Sequence, residues 1–364
     1  MTTIDTKLVQ LGNQTDVRTG AVSSPIYLST AYKHDGLGES TGFDYTRTKN
    51  PTRTVLEEGV ANLEEGDAAF ACSSGMAAIQ LVMSLLKSGE GVIVPTDLYG
   101  GTYRLFEHLK QNYDITVIYD DFLNIDTVAA KITPTVKMIF LETPTNPLMH
   151  CYNIEDFAKL AKQKGCLLVV DNTFLTPYFQ RPLTQGADIV IHSATKYLGG
   201  HNDVLAGLAI SKGQALSERL AFLHNTSGYA LSALDSWLVM RGMKTLHLRM
   251  RQHDANAKAV ANYLQNHPKV TDVLYAGQGG MLAFRLQDEQ QIDPFLRQLK
   301  LIIYAESLGG VESFITYPAT QTHADVPYEE RVARGVCNRL LRFSVGVEEV
   351  KDLITDIEQA LATL

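Results

Sequence analysis

From about residue 50 to residue 210, short apolar runs alternate with stretches of helical periodicity. The runs at 68–71, 91–94, 115–118, 138–141, 166–170, 189–191 and 206–210 are continuous, with no polar position every second residue. That pattern predicts strands buried on both faces of a mostly parallel sheet. Between them the spacing predicts helices over 51–63, 76–86, 103–110, 125–131 and 154–164. Asn50 is suited to cap the first of these, and Pro51 to occupy its first turn. Strands and helices in alternation give an α/β architecture.

The pattern changes near Gly228. A long helical stretch is expected over 233–266, broken near Gly242 and stopped before Pro268. Strands at 270–275 and 281–286 flank the Gly277–Gly280 turn, and shorter elements follow. Three segments are therefore expected: an extended arm over 1–45 that reaches a neighbouring subunit, an α/β domain over 46–230, and a smaller C-terminal α+β domain over 231–364. No internal repeat is present.

Composition narrows the classes. At 364 residues the chain exceeds one ordinary core. It is 45% hydrophobic and 20% charged with a formal net charge of −8, which argues against nucleic acid or an anionic membrane as the main partner. No apolar run reaches bilayer length, and residues 1–30 lack the apolar core of a signal peptide. The four cysteines (Cys72, Cys151, Cys166 and Cys337) have no metal-ligand spacing and suit a reducing cytoplasm as small buried hydrophobes. The histidines show no HExxH or paired spacing, so no metal is expected. His201, in a Gly/Asn/Asp-rich turn, reads as structural.

In open α/β sheets, ligands bind beyond the carboxyl ends of the strands. Asp171-Asn172-Thr173 follows the run at 166–170. His192-Ser193-Ala194-Thr195-Lys196 follows the run at 189–191, and Cys72-Ser73-Ser74-Gly75-Met76 leads from the first run into a helix. This trio meets the demands of pyridoxal 5′-phosphate (PLP). Its phosphate needs amides at a helix N-terminus and hydroxyls, which Gly75, Met76, Ser193 and Thr195 can supply. Its ring nitrogen needs a carboxylate to stay protonated, and Asp171 is the candidate. Its aldehyde needs an amine, and Lys196 is the candidate for a Schiff base. Ser74 and Thr173 stand in the same motifs as further cofactor contacts. Each residue alone has a bland reading: a cap, a solvated lysine, an ordinary helix start. Their joint order at strand ends outweighs it.

The chain resembles the Cys/Met-metabolism family of PLP enzymes, which includes cystathionine γ-synthases, γ-lyases and β-lyases. The likeness runs through Tyr45-Thr46-Arg47, Asn50-Pro51-Thr52-Arg53, Ser74-Gly75-Met76, Asp97-Leu98-Tyr99-Gly100-Gly101 and Glu142-Thr143-Pro144-Thr145-Asn146-Pro147. It continues through Asp171-Asn172-Thr173, His192 to Tyr197, Ala305 to Gly310 and Arg342-Phe343-Ser344-Val345-Gly346. The resemblance implies an aminotransferase-like (type I) PLP fold with a seven-stranded sheet. It implies that Tyr99 stacks on the ring and takes part in proton transfer, and that Tyr45 and Arg47 reach the phosphate of a neighbouring subunit. It further implies that Arg342 clamps the substrate carboxylate, that Asn146 lies near the cofactor or that carboxylate, and that Ser313 lies near the Lys196 amine. A homotetramer of two catalytic dimers is the corresponding assembly.

Within that family, Glu312 falls where γ-specific members are similar to this chain and could hold the amino group of incoming cysteine or the distal end of cystathionine. Its bland reading is an exposed or capping acid. Gly101 stands where methionine γ-lyases carry cysteine, and Gly310 to Phe314 with Thr322-His323 resembles bacterial synthases. The expected reaction is γ-replacement: O-acylhomoserine reacts with cysteine to give cystathionine, with sulfide as a second nucleophile. The rival is a lyase that cleaves cystathionine.

Overall fold

The structure is a computed structural model that describes residues 2–364. Its seven expected strands are present: β1 (Ala68–Cys72), β2 (Gly91–Pro95), β3 (Thr116–Asp120), β4 (Val136–Glu142), β5 (Leu167–Asp171), β6 (Ile189–Ser193) and β7 (Gly207–Ser211). They form one sheet in the order β1-β7-β6-β5-β4-β2-β3. The sheet is mixed: β2–β3 and β5–β6 are parallel, whereas β7 runs antiparallel to both β1 and β6. Every residue of β2 and β7 is buried, as the continuous apolar runs require.

Two of the expected helices, Ile125–Lys131 and Ile154–Lys164, have the expected bounds, and the others shift by one to three residues. Asn50 caps the helix Pro51–Glu64, accepting from the N–H groups of Thr52 (2.9 Å) and Arg53 (3.2 Å). The long helical stretch is two helices, Ala233–Met243 and Leu246–Gln265. Gly242 does more than break it: a Cβ there would lie 2.1 Å from the Gly199 carbonyl oxygen, so glycine lets this helix touch the turn just after Lys196. The helix Gln214–Ser227 was not expected, although Leu220, Leu223 and His224 are buried at helical spacing and Gly228 ends it in the left-handed region.

The chain divides into two compact units. One comprises the segment ending at Glu90, Lys137–Ile139 and Ile154–His247; the other comprises Gly91–Val136, Phe140–Asn153 and Leu248–Leu364. The arm is less uniformly extended than expected. It opens with the helix Ile4–Val9, which buries Leu8, and then runs without regular structure to a bridge between Ala31 and Tyr45.

The second unit holds a five-stranded sheet of β8 (Val270–Tyr275), β9 (Met281–Leu286), β10 (Ile303–Tyr304), β11 (Phe314–Thr316) and β12 (Leu340–Ser344), ordered β10-β11-β12-β9-β8. Leu282, Phe284, Leu341 and Phe343 pack against Val260, Leu264, Phe295, Leu353 and Ile357. Each such fully buried side chain contributes about 1.5–3 kcal/mol. Strand alternation then turns Arg342 away from Leu341 and Phe343.

Candidate active site

In the first unit, β5 ends on Asp171 and β6 on Ser193, and Thr173 laces the two ends together. Its N–H (3.0 Å) and hydroxyl (2.6 Å) both donate to Asp171 Oδ1, while its Oγ1 accepts from the Ser193 N–H (2.8 Å). Burial pushes the Asp171 carboxyl above its ordinary range, opposed by the two Thr173 bonds and by His192. Both bonds land on Oδ1, which leaves Oδ2 to accept from the N–H of a protonated pyridine.

The helix Gly75–Met83 starts beside Ser193. Ser74 caps it, its Oγ accepting from the Ala77 N–H at 3.1 Å. The N–H groups of Gly75 and Met76 belong to the first turn and have no intrahelical acceptor. A Cβ on Gly75 would lie 2.8 Å from Ser193 Cβ and 2.9 Å from its Oγ, so only glycine permits this approach. A Cβ on Gly207 would likewise meet the Ser74 carbonyl oxygen at 2.0 Å. Two hydroxyls and two first-turn amides gathered at one helix start fit a phosphate. The Lys196 turn is tight: its N–H donates to Ser193 O (3.1 Å) and its carbonyl accepts from Gly200 N (2.8 Å). With a carboxylate at the end of β5 and a lysine three residues past the end of β6, the donor set fits PLP.

Thr195 is differently placed from its expectation as a hydroxyl donor. Its hydroxyl donates to Ala206 O (3.2 Å) and accepts from Ala206 N (3.0 Å), bracing the entry to β7. Ser193 is therefore the more available phosphate donor. Tyr45 and Arg47 are both exposed; Arg47 lies 5.6 Å from the Tyr45 ring centroid and donates to Asn225 O (2.5 Å) and Oδ1 (2.9 Å). His201 Nδ1 donates to Gly199 O at 2.8 Å, a turn contact.

The second unit carries the remaining candidates. Arg342, 2% exposed, donates through Nη1 to Asn146 Oδ1 (3.0 Å) and through Nη2 to Ser307 O and Thr316 Oγ1 (2.9 Å each). Three acceptors fix the plane of its guanidinium. Ser307 holds a left-handed backbone (φ 89°) uncommon for a residue with a side chain. Tyr99 stands at the N-cap of the helix Gly100–Asn112, 36% exposed. Ser313 is held by Glu348, whose two oxygens accept from its N–H (2.7 Å) and hydroxyl (2.9 Å), while Ser313 Oγ accepts from Gly346 N (2.8 Å). Glu312, next to it, is exposed.

Four residues with evident work in this unit were given no role from the sequence, although Asp97, Glu142 and His323 stand in motifs quoted above. Glu142 accepts from the N–H of Tyr99 (Oε2, 3.1 Å) and of Asn146 (Oε1, 2.8 Å). Glu348 grips Ser313, and His323 reaches the Leu98 carbonyl. Asp97, buried against the Thr145 hydroxyl, joins the same two loops and is pushed up to about 6 by that burial. Apart from the Glu142–Asn146 bond, four positions apart, each acts on a group 35 to 225 positions away, a distance no local pattern encodes.

Comparison with known proteins agrees with this chemistry. The family described as Cys/Met metabolism PLP-dependent enzyme matches residues 5–362. A Bacillus subtilis protein named cystathionine gamma-synthase/O-acetylhomoserine (thiol)-lyase is 62% identical over 98% of this chain and 96% of its own. A Haemophilus influenzae protein named cystathionine gamma-synthase is 59% identical over 99% and 98%. The crystal structure of cystathionine gamma synthase from Xanthomonas oryzae pv. oryzae in complex with cystathionine superposes with a TM-score of 0.97 at 39% identity, covering all of both chains.

Proposed function

The chain belongs to the Cys/Met metabolism family of PLP-dependent enzymes, and from that premise we propose that it catalyses γ-replacement, joining an O-acylhomoserine to cysteine to give cystathionine and the free carboxylic acid. The cradle of Ser74, Gly75, Met76 and Ser193 beside Asp171 and Lys196 carries the cofactor part of this reading. The names of the relatives at 62% and 59% identity support the synthetic direction over cleavage.

PLP bound there supplies an electron sink for negative charge at the substrate α-carbon. Asp171 would hold a proton on the ring nitrogen, its carboxylate kept oriented by the two Thr173 bonds. Ser74, Ser193 and the first-turn amides hold the phosphate. The Lys196 amine would hold the cofactor and, once released by the substrate amino group, would move the α- and β-protons one at a time, passing on the first before taking the second and returning protons to Cβ and Cα at the end, while the acyloxy group would leave Cγ as the carboxylic acid. The cysteine thiol then bonds to Cγ. Arg342, its plane set by Asn146, Thr316 and Ser307, pairs with the substrate α-carboxylate through two parallel hydrogen bonds. By the family's pattern, Tyr99 would stack on the cofactor ring, Ser313 would serve the lysine amine and Glu312 would receive the amino group of the incoming cysteine. Sulfide as a second nucleophile and the acetyl ester as the first donor to test follow from the name of the Bacillus subtilis relative.

Tyr45 and Arg47 complete the phosphate site of a second copy of the chain, within a tetramer of two such dimers. The cytoplasm is the matching compartment, since the four cysteines form no disulfide among the described residues. No helix among the described residues is long and apolar enough to cross a membrane. Replacing Lys196 with Ala tests the central assignment: the visible band of the lysine-linked cofactor and turnover should both vanish, and a variant that keeps both would refute it.

A further inference from the structure

We propose that Glu142 and His323 are positioning residues that aim the ring of Tyr99, an inference that rests on the role assigned to Tyr99 above. Among the described residues the Tyr99 side chain makes no hydrogen bond or ring contact, which leaves its backbone as the polar grip on the ring. Its direction is therefore inherited from its backbone, and that backbone is gripped on three sides. The Tyr99 N–H donates to Glu142 Oε2 at 3.1 Å. The carbonyl of the preceding residue, Leu98, meets His323 Nε2 at 3.3 Å. On the following residue, a Cβ at Gly100 would lie 1.9 Å from the Thr322 carbonyl oxygen, so the turn lies flat against the Thr322-His323 segment.

The chemistry of each grip is specific. A carbonyl only accepts, so the proton of His323 sits on Nε2, and Nδ1 accepts from the Thr322 hydroxyl at 2.9 Å. Burial and the charges of Arg342, Arg334 and Arg331 hold His323 down to about 4, which keeps this tautomer neutral near pH 7. Glu142 is 6% exposed and spends one oxygen on Tyr99 and the other on the Asn146 N–H at 2.8 Å. Asn146 in turn receives Arg342, so the ring-stacking tyrosine and the carboxylate clamp share one brace. Only a carboxylate can serve both N–H groups; a glutamine offers one acceptor and turns an N–H₂ group toward the other donor.

Four variants of the PLP-loaded protein test this: Tyr99→Ala, Glu142→Gln, His323→Ala and His323→Gln. The visible circular dichroism of the bound cofactor reports ring placement independently of turnover. Glu142→Gln and His323→Ala should shift that signal in the direction of Tyr99→Ala and lower kcat about ten- to a hundredfold, as a small misplacement does. His323→Gln, whose amide can donate to Leu98, should restore both. If Tyr99→Ala changes the signal while Glu142→Gln and His323→Ala only lower the melting temperature, the two residues are structural and the inference is wrong. If Tyr99→Ala itself changes neither signal nor kcat, the role of Tyr99 falls and this inference with it.

Discussion

Arg342 donates through Nη1 to Asn146 Oδ1 across 3.0 Å, joining two residues 196 positions apart in the chain. The bond fixes the guanidinium plane before any substrate arrives, which is what a two-pronged carboxylate contact requires. Arg342→Lys keeps the charge and loses the planar fork. Steady-state kinetics should show kcat/KM for the amino-acid donor falling roughly a hundredfold, about 2–3 kcal/mol, with most of the loss in KM. An unchanged KM would remove Arg342 from the carboxylate site.

Gly75→Ala probes the phosphate cradle. The added methyl would press into Ser193 at 2.8 Å, with the Ser193 Cα only 3.1 Å away, so the helix start must retreat from β6. Equilibrium dialysis should show PLP held at least about tenfold more weakly, because the first-turn amides lose their alignment. Unchanged retention would place the phosphate elsewhere.

Much of this fold was legible in the sequence. Continuous apolar runs marked all seven strands of the large sheet because both faces of that sheet are covered. They could not show that β7 runs antiparallel, since a run buried on both faces carries no direction. Asn50 and Pro51 announced their helix by cap chemistry, whereas the helix Gln214–Ser227 passed unnoticed between its flanking Gly213 and Gly228. Gly242 was visible as an interruption, but its contact with Gly199 is tertiary. At the site, Asp171, Lys196 and Ser74-Gly75 were readable because strand ends gather them. Glu142, Glu348 and His323 could be given no role, because their partners Tyr99, Ser313 and Leu98 lie 43, 35 and 225 positions away.

The Asn50 cap should be measurable in stability alone. Asn50→Ala leaves Thr52 and Arg53 N–H groups without their acceptor and also loses the bond from Asn50 Nδ2 to Tyr27 O at 2.9 Å. Denaturant unfolding should report a loss of about 1–2 kcal/mol. No loss would mean that water or the chain replaces the cap.

Buried titratable groups predict two pH dependences of opposite sign. Burial holds His253 down to about 4 from 6.5, so between those values the unfolded chain binds the extra proton and wild-type stability falls as pH falls. His253→Gln removes this group, and the wild-type advantage over it should shrink by up to about 1.4 kcal/mol per pH unit from 6.5 to 4. Asp97 is pushed up to about 6 from 3.8, so the folded protein holds the extra proton and wild type gains on Asp97→Asn as pH falls from 6 to 4. Parallel unfolding curves at several pH values check both signs, and a pH-independent difference in either pair would contradict that assignment.

The most direct test of γ-replacement is a product assay on PLP-loaded protein. One reaction receives O-acetyl- or O-succinylhomoserine with cysteine, and a second receives cystathionine alone. The account predicts cystathionine accumulating in the first much faster than it disappears in the second, with the preferred ester identifying the acyl donor. Rapid release of 2-oxobutanoate or pyruvate from cystathionine, with no synthesis in the first reaction, would contradict it and make the protein a lyase.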